Sequence, residues 1–573
     1  MAKKIKGKGV ISGIAIGNIL LAGQNLDSFL VAYKPNSKKT EKKKAAEALI
    51  AVAENLKKSI EDFLAKDLKE QAGILDAHRM MVEDPAMSAV IDQEIDVSGS
   101  APKAVIDAYE SQAQIFETME DEYFRGRAVD MRDVGKRIAK YLLGIKEPEI
   151  AGKVIVAGKD IEPSVIAGLP TDKIAGVILG VGSTTAHAVI IAKTRAIPTI
   201  VGVGEGIAHI ADGDPVILDG GTGEILIRPS EDERAGYTEK IKKQEELKAY
   251  YAQLKDKPAI TTDGKEVELV ANIGSPADAK AAVEDYGATG VGLFRSEFVF
   301  MGKTDVPKEE DQYKQYKAAV EHCAAVTHGE GLCVIRTMDI GGDKPLPYIQ
   351  VGKEENPFLG YRAIRISLRR KDLFMPQLRA ILRAGVYGKA AIMFPMVINV
   401  DEFLEAKKFV EQAKAELTQE GVKYSDSVQV GIMVETPAAA VMAPILAKYV
   451  DFFSIGTNDL VQYTLAVDRG NAQISYLYNH FNPAVLRLIK RTIESANKEG
   501  KWAGMCGEMA SDPNAAIILM AMGIKELSMS APSIPRVKER IRNITFTRAK
   551  EILDKVMEME DGNEIKDYLT SIE

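Results

Sequence analysis

Two groups of residues in this chain have types and spacing that could do chemistry. The first is a single histidine among small residues. Gly182-Ser183-Thr184-Thr185-Ala186-His187-Ala188-Val189-Ile190-Ile191-Ala192-Lys193 passes from a Gly/Ser/Thr turn through one imidazole into an apolar run. That pattern reads as a loop presenting His187 at the start of a buried helix, whose unpaired N–H groups favour an anionic adduct. A neutral imidazole so placed can accept a phosphoryl group; the alternative is a histidine that merely packs beside a turn. The second group is charged. Arg295 and Glu297, Arg336 and Asp339, Glu435, Asn458 and Asp459, and Cys506 and Glu508 each fall at the C-terminal end of an apolar, β-prone run. Glu435 and Asp459 supply the two carboxylates that Mg²⁺ usually takes from a protein while it keeps water and substrate oxygens, unless each pairs with a neighbouring arginine. Arg295, Arg336 and Arg469, helped by Lys344 and Arg362, match phosphate and carboxylate oxygens and point to a phosphorylated small acid as ligand. Cys506, between Gly504 and Gly507, is either a buried structural thiol or a proton donor to a carbanion or enolate.

The elements that must hold these groups follow from periodicity. Eight apolar runs, Val267–Ile273, Gly290–Glu297, Leu332–Ile340, Lys389–Val397, Val428–Thr436, Asp451–Asp459, Lys501–Glu508 and Lys525–Ala531, alternate with helical patterns. Strands and helices in that rhythm predict a (β/α)8 barrel over residues 258–573, and in such a barrel the C-terminal strand ends share one face. Residues 1–36 and 145–230 carry shorter strands and predict an α/β domain that holds His187. Between them, 37–144 switches to a helical period in which Leu49, Val52, Leu56, Ile60 and Phe63 form one stripe, with breaks at Asp84-Pro85 and Ser98-Gly99-Ser100. That stretch predicts an inserted helical hairpin or small bundle. Much of the charge of its last helix, from Arg125 through Asp130, Arg132 and Asp133 to Arg137, reads as a solvated, salt-bridged face. The pair Met80-Met81 beside Asp76, Glu83 and Asp84 is either a docking patch for a basic partner or ordinary core. Residues 231–257, highly charged, read as a helical linker and hinge.

Composition narrows the function classes. The 573 residues exceed one core and imply several domains. With 74 basic against 82 acidic residues the net charge is −8, mixed in sign, which argues against nucleic acid and anionic membrane as partners. Lys3, Lys4, Lys6 and Lys8 before Val10–Leu21 imitate a leader, but Ser12, Gly13, Gly17 and Asn18 interrupt the apolar run, so a first strand and turn is expected, and no run suffices to enter a bilayer. Cys323, Cys333 and Cys506 show no metal or disulfide spacing, as expected of a cytoplasmic chain.

Motifs distributed along the chain carry a family resemblance. Gly292-Leu293-Phe294-Arg295, Val334 to Lys344, Glu355-Asn356-Pro357-Phe358-Leu359-Gly360, Met433-Val434-Glu435-Thr436-Pro437, Phe453 to Leu460, Asp468-Arg469-Gly470-Asn471 and Gly504-Met505-Cys506-Gly507-Glu508 resemble enzyme I of the bacterial phosphoenolpyruvate-dependent sugar phosphotransferase system. The resemblance implies a swivelling phosphohistidine domain, an insert that docks the carrier protein HPr, and a barrel that binds phosphoenolpyruvate and forms a homodimer. It makes His187 the phosphorylated residue, Glu435 and Asp459 the Mg²⁺ ligands, and Cys506 the proton donor that yields pyruvate. Arg295, Arg336, Arg469 and the Asn458-Asp459 turn would hold phosphoenolpyruvate, with Lys344 and Arg362 as lesser carry-overs. Pyruvate phosphate dikinase and phosphoenolpyruvate synthase are similar too, but they need a nucleotide-binding domain, and this chain has no P-loop. The sequence departs from the family at one place. Where relatives read Gly-Gly-Arg-Thr-Ser before the histidine, this chain has Gly182-Ser183-Thr184-Thr185-Ala186, which lacks the arginine and suggests altered support of a phosphohistidine, or a regulatory or scaffold paralogue that docks the carrier and transfers phosphate poorly.

Overall fold

The β-prone and helix-prone stretches sort into two compact units, residues 1–245 and 246–573. The computed structural model describes residues 3–22, 26–65, 69–118, 122–145, 152–159, 161, 166, 169, 173–181, 189, 192–193, 195, 197–301, 303, 305–327, 329–341, 346–349, 352, 354–471 and 473–572.

In the first unit eight described strands form one sheet: β1 (Lys3–Lys6), β2 (Lys8–Ile11), β3 (Ile14–Leu21), β4 (Val154–Gly158), β5 (Ile174–Leu179), β6 (Thr199–Val201), β7 (Pro215–Asp219) and β8 (Glu224–Ile227). Their order is β1-β8-β7-β3-β4-β5-β6-β2, parallel from β3 to β6 and antiparallel elsewhere. The leader-like lysines are therefore edge-strand residues, and Lys4 Nζ lies 2.7 Å from Glu224 Oε1. The single first strand expected from Val10 to Leu21 is two strands, because the chain turns at Gly13, whose φ of 135° a side chain would resist. β8 was not foreseen. Along β4 the side chains alternate, with Val154 and Val156 in one core and Ile155 and Ala157 in the other, so the central sheet is covered on both faces.

The helices leave the sheet between β3 and β4: α1 (Leu26–Ala32), α2 (Lys38–Ala65), α3 (Lys69–Val82), α4 (Pro85–Ser98), α5 (Ala101–Glu117) and α6 (Glu122–Leu142). The expected breaks have their usual causes. Asp84 accepts the Ala86 N–H at the start of α4, with Pro85 in its first position, and Gly99 ends it at φ 73°. Val52, Leu56 and Phe63 are buried, and Leu49 and Ile60 pack against them. Met80 is exposed, whereas Met81 leans on the bundle core.

One reading needs correction. The charges of α6 are only partly a solvated face. Arg132 does reach Glu110 and Glu117, but Asp130 and Asp133 are buried against His78 of α3, with Nε2 3.4 Å from Asp130 Oδ1 and Nδ1 3.9 Å from Asp133 Oδ2. Positions three apart share a helix face, so two acids chosen for one inward-facing histidine both point inward.

A long helix, α7 (Glu231–Leu254), carries the boundary between the two units; of its residues only Leu254 is buried, which suits a connector. Beyond it, β9 (Glu268–Ile273), β10 (Val291–Arg295), β11 (Leu332–Arg336), β12 (Lys389–Phe394), β13 (Gln429–Val434), β14 (Phe452–Ile455), β15 (Trp502–Met505) and β16 (Glu526–Met529) close into a parallel barrel in which β16 pairs with β9. Leu293, Val334, Ala391, Met393, Met433, Phe452 and Cys506 form an apolar cluster of their own. A second, much larger core includes residues from both the strands and the surrounding helices.

Candidate active site

The strands are shorter than the apolar runs that announce them, and the difference is where the chemistry sits. β14 stops at Ile455, and Asn458 and Asp459 belong to the first turn of the helix Thr457–Leu465. Glu435 follows β13, and Cys506 follows β15. Arg295 and Arg336 end their strands and are partners in the ladder, which puts two cations at one level of the barrel mouth.

Arg336 and Arg362 are buried and engaged. Arg336 Nη1 is 2.9 Å from Asp339 Oδ2 and 3.5 Å from Met433 Sδ, and Nη2 donates to Glu297. Arg362 Nη2 donates to Asp339 Oδ1 at 2.8 Å and lies 3.9 Å from Asp459 Oδ2, so Asp339 bridges the two guanidiniums. Burial alone would push both arginines down. The surrounding carboxylates, Glu297 and Asp339 at Arg336 and Asp339 and Asp459 at Arg362, raise them above their ordinary value and keep them charged. The other two arginines are freer. Arg469 reaches Asp459 Oδ1 only at 3.8 Å and its side chain is 42% exposed, and the Arg295 side chain makes no hydrogen bond or ion pair among the described residues. Fixed arginines thus shape the floor while two others can turn to an anion.

Acids outnumber bases in the buried part. Glu297, Asp339, Glu435 and Asp459 are all buried with Arg336 and Arg362. Glu435 Oε1 accepts the Met396 N–H at 2.7 Å, with Met396 held at φ 59° to aim it. Burial first, then Asp339 and Asp459, push the Glu435 carboxyl up to about 8, while Arg336 and Arg362 pull it back. Asp459 Oδ1 is buried and accepts no hydrogen bond. Two surplus acids, one of them holding its proton until a cation displaces it, an orphaned carboxylate oxygen and hard oxygen donors fit a divalent cation. No group of three or more acid, His or Cys donors able to hold a metal occurs among the described residues, so Glu435 and Asp459 would share the ion with substrate oxygens and water.

Cys506 is buried, and its N–H donates to Ile455 O at 3.1 Å. Burial pushes the thiol up to about 11, and nearby Ser454 and Arg336 only moderate this. At neutral pH it is therefore a proton carrier and a poor nucleophile. The loop after it is pressed onto the neighbouring helix: a Cβ at Gly507 would lie 1.8 Å from Thr457 Oγ1. The Glu508 N–H then donates to Asn458 Oδ1 at 3.0 Å, which links the cysteine loop to the Asn458-Asp459 turn. The Glu508 side chain itself is exposed.

The structure thus brings Arg295, Arg336, Glu435, Asn458, Asp459, Arg469 and Cys506 to one end of the barrel, with Arg362 among them. His187, in 182–188, and Lys344 lie outside the described residues. Sequence reasoning missed Asn272, whose Nδ2 donates to Cys506 O at 2.9 Å, and Ser528, whose Oγ donates to Asn272 Oδ1 at 2.7 Å. The usable signal was a polar residue at an alternating position inside an otherwise apolar run.

Three family descriptions match the chain: "PEP-utilising enzyme, PEP-binding domain" over residues 248–546, "PEP-utilising enzyme, N-terminal" over 6–127 and "PEP-utilising enzyme, mobile domain" over 150–223. A protein of Staphylococcus carnosus named phosphoenolpyruvate-protein phosphotransferase is 41% identical, covering 99% of this chain and 99% of its own. A protein of Priestia megaterium with the same name is 41% identical over 100% of this chain and 99% of its own.

Proposed function

Because the chain belongs to the phosphoenolpyruvate-protein phosphotransferase family, we propose that it carries the phosphoryl group of phosphoenolpyruvate to its own His187, releases pyruvate, and passes the phosphate to a histidine of HPr. The observation that carries this reading is the mouth of the barrel. Arg295 and Arg469 are available there for an anion above a floor of Arg336, Arg362, Glu435 and Asp459, with a protonated Cys506 beside them.

The chain's own groups would work as follows. Arg295, Arg336, Arg469 and the Asn458-Asp459 turn hold the phosphate and carboxylate of the substrate. Mg²⁺ held by Glu435 and Asp459 would supply charge neutralisation for the phosphate and the departing enolate. Neutral His187 attacks phosphorus in line; the N–P bond forms as the bridging P–O bond breaks, and that electron pair becomes the enolate. Cys506 gives its S–H proton to the enolate carbon, which yields pyruvate, and the thiolate recovers a proton from water. One histidine must meet first the barrel and then the carrier, so its domain moves, with α7 as the connector. The helical insert docks HPr, with exposed Met80 as an adaptable apolar contact beside the ion pairs of Arg79 with Asp76 and Glu83. The barrel pairs with a second copy, and the chain works in the cytoplasm at the first step of sugar uptake. No described helix is long and apolar enough to cross a membrane.

Purified HPr tests the onward step. With phosphoenolpyruvate and Mg²⁺, catalytic amounts of this protein are expected to convert a full equivalent of HPr to its phosphohistidine form with matching pyruvate. A protein that binds HPr but leaves it unphosphorylated is the scaffold that the altered residues before His187 allow.

A further inference from the structure

Cys506 sits just past the end of β15, where no neighbouring strand holds its carbonyl. That role falls to a side chain from across the closure of the barrel. Asn272, on β9, donates its amide to Cys506 O at 2.9 Å, and its own carbonyl is fixed by Ser528 of β16, whose hydroxyl donates to Asn272 Oδ1 at 2.7 Å. With the Cys506 N–H bound to Ile455 O, both peptide groups that flank the thiol are pinned. Room for the arrangement depends on Gly292 of β10. A Cβ there would lie 2.6 Å from Ser528 Oγ and 2.5 Å from Glu526 Oε1, so any larger residue would displace the serine. Ser528 is fully buried and has one partner to serve, which orients the Asn272 amide with its N–H₂ toward Cys506.

We propose that Asn272, oriented by Ser528, is a positioning residue that fixes the Cys506 peptide so that the thiol meets the enolate carbon. The inference rests on the reading of Cys506 as proton donor. In the step it serves, the S–H bond breaks, the enolate electron pair forms the new C–H bond, and the ketone of pyruvate is restored. A proton transfer of this kind is sensitive to donor placement on the scale of an ångström.

The test separates phosphoryl transfer from protonation in single turnovers of the full chain with labelled phosphoenolpyruvate and Mg²⁺. Asn272→Ala is expected to slow pyruvate appearance about tenfold at saturating substrate, to raise its solvent deuterium isotope effect, and to leave half-saturation and the labelling of the protein within about twofold. Ser528→Ala removes one hydroxyl and keeps the fold, and should show the same pattern at about threefold. In a Cys506→Ala background neither substitution should slow pyruvate further. A loss carried by half-saturation, an unchanged isotope effect, or an additional loss in the Cys506→Ala background overturns the positioning role. Pyruvate formation untouched by Cys506→Ala alone would instead remove the proton-donor reading, and this inference with it.

Discussion

Two clusters of buried charge in this molecule look alike in composition and differ in what surrounds them. In the helical insert, His78 is enclosed by Asp130 and Asp133, with Arg127 at the edge 3.3 Å from Asp130. At the barrel mouth, Arg336 and Arg362 are enclosed by Glu297, Asp339, Glu435 and Asp459. The first joins two helices of one bundle. The second stands where separate parallel strands end together, and Arg295 and Arg469 stand by it without a carboxylate in hydrogen-bond reach. Buried charge alone therefore does not mark a site. The mark is convergence of several strand ends combined with cations beyond what the cluster itself uses.

Substitution in each cluster should separate these roles. Arg336→Ala is expected to reduce phosphoenolpyruvate-dependent labelling at least about a thousandfold, since it removes a proposed phosphate ligand and leaves Glu297 and Asp339 buried without it. His78→Phe should cost stability of a similar order to other broken buried pairs, about 3–5 kcal/mol, yet leave labelling within about threefold. Thermal melts beside labelling rates check both; equal losses of activity would erase the distinction. Cys506→Ala comes next, with pyruvate formation down about a hundredfold while the protein still takes up label.

A buried acid outside both clusters sharpens the comparison, because no arginine pairs with it. Glu526, inside the barrel, has its carboxyl pushed up to about 8, by burial first and then by Glu268. The folded chain keeps this proton to about pH 8, whereas the unfolded chain loses it near 4.5, the ordinary value. Stability should therefore fall as pH rises between those values, by up to about 1.4 kcal/mol per unit from this group. Glu526→Gln should flatten that fall in melts from pH 5 to 8, and a variant with the wild-type slope would show that the group is already ionised. The smallest expected effect is at the histidine loop. Thr184→Arg supplies the cation that the family resemblance leads one to expect there and should lengthen the half-life of the proposed phosphohistidine several-fold, measured by loss of label after substrate removal.

The barrel was legible because its information is repeated. Eight apolar runs had to agree in direction, and the residues at their ends, Arg336, Glu435, Asp459 and Cys506, inherit their common face from that agreement. Asn272 stood out only as a polar residue in an apolar run; its partner was not legible, because one asparagine gives no sign of the peptide it holds on another strand. Asp130 and Asp133 were misread, since their partner His78 belongs to a different helix and a helical charge looks solvated until the opposing face is known. β8 was missed because a four-residue strand beside a turn has too few positions for its alternation to be seen. His187 was singled out by residue type and resemblance only, and it lies outside the described residues, so its proposed role rests on the chemistry of one loop.

That role can be measured directly. Labelled phosphoenolpyruvate and Mg²⁺, added to the full chain and followed by peptide mapping, should place one acid-labile, base-stable phosphate on His187 and none on a His187→Ala variant. Label absent from the wild type, or equal in the variant, would contradict phosphoryl transfer through this histidine.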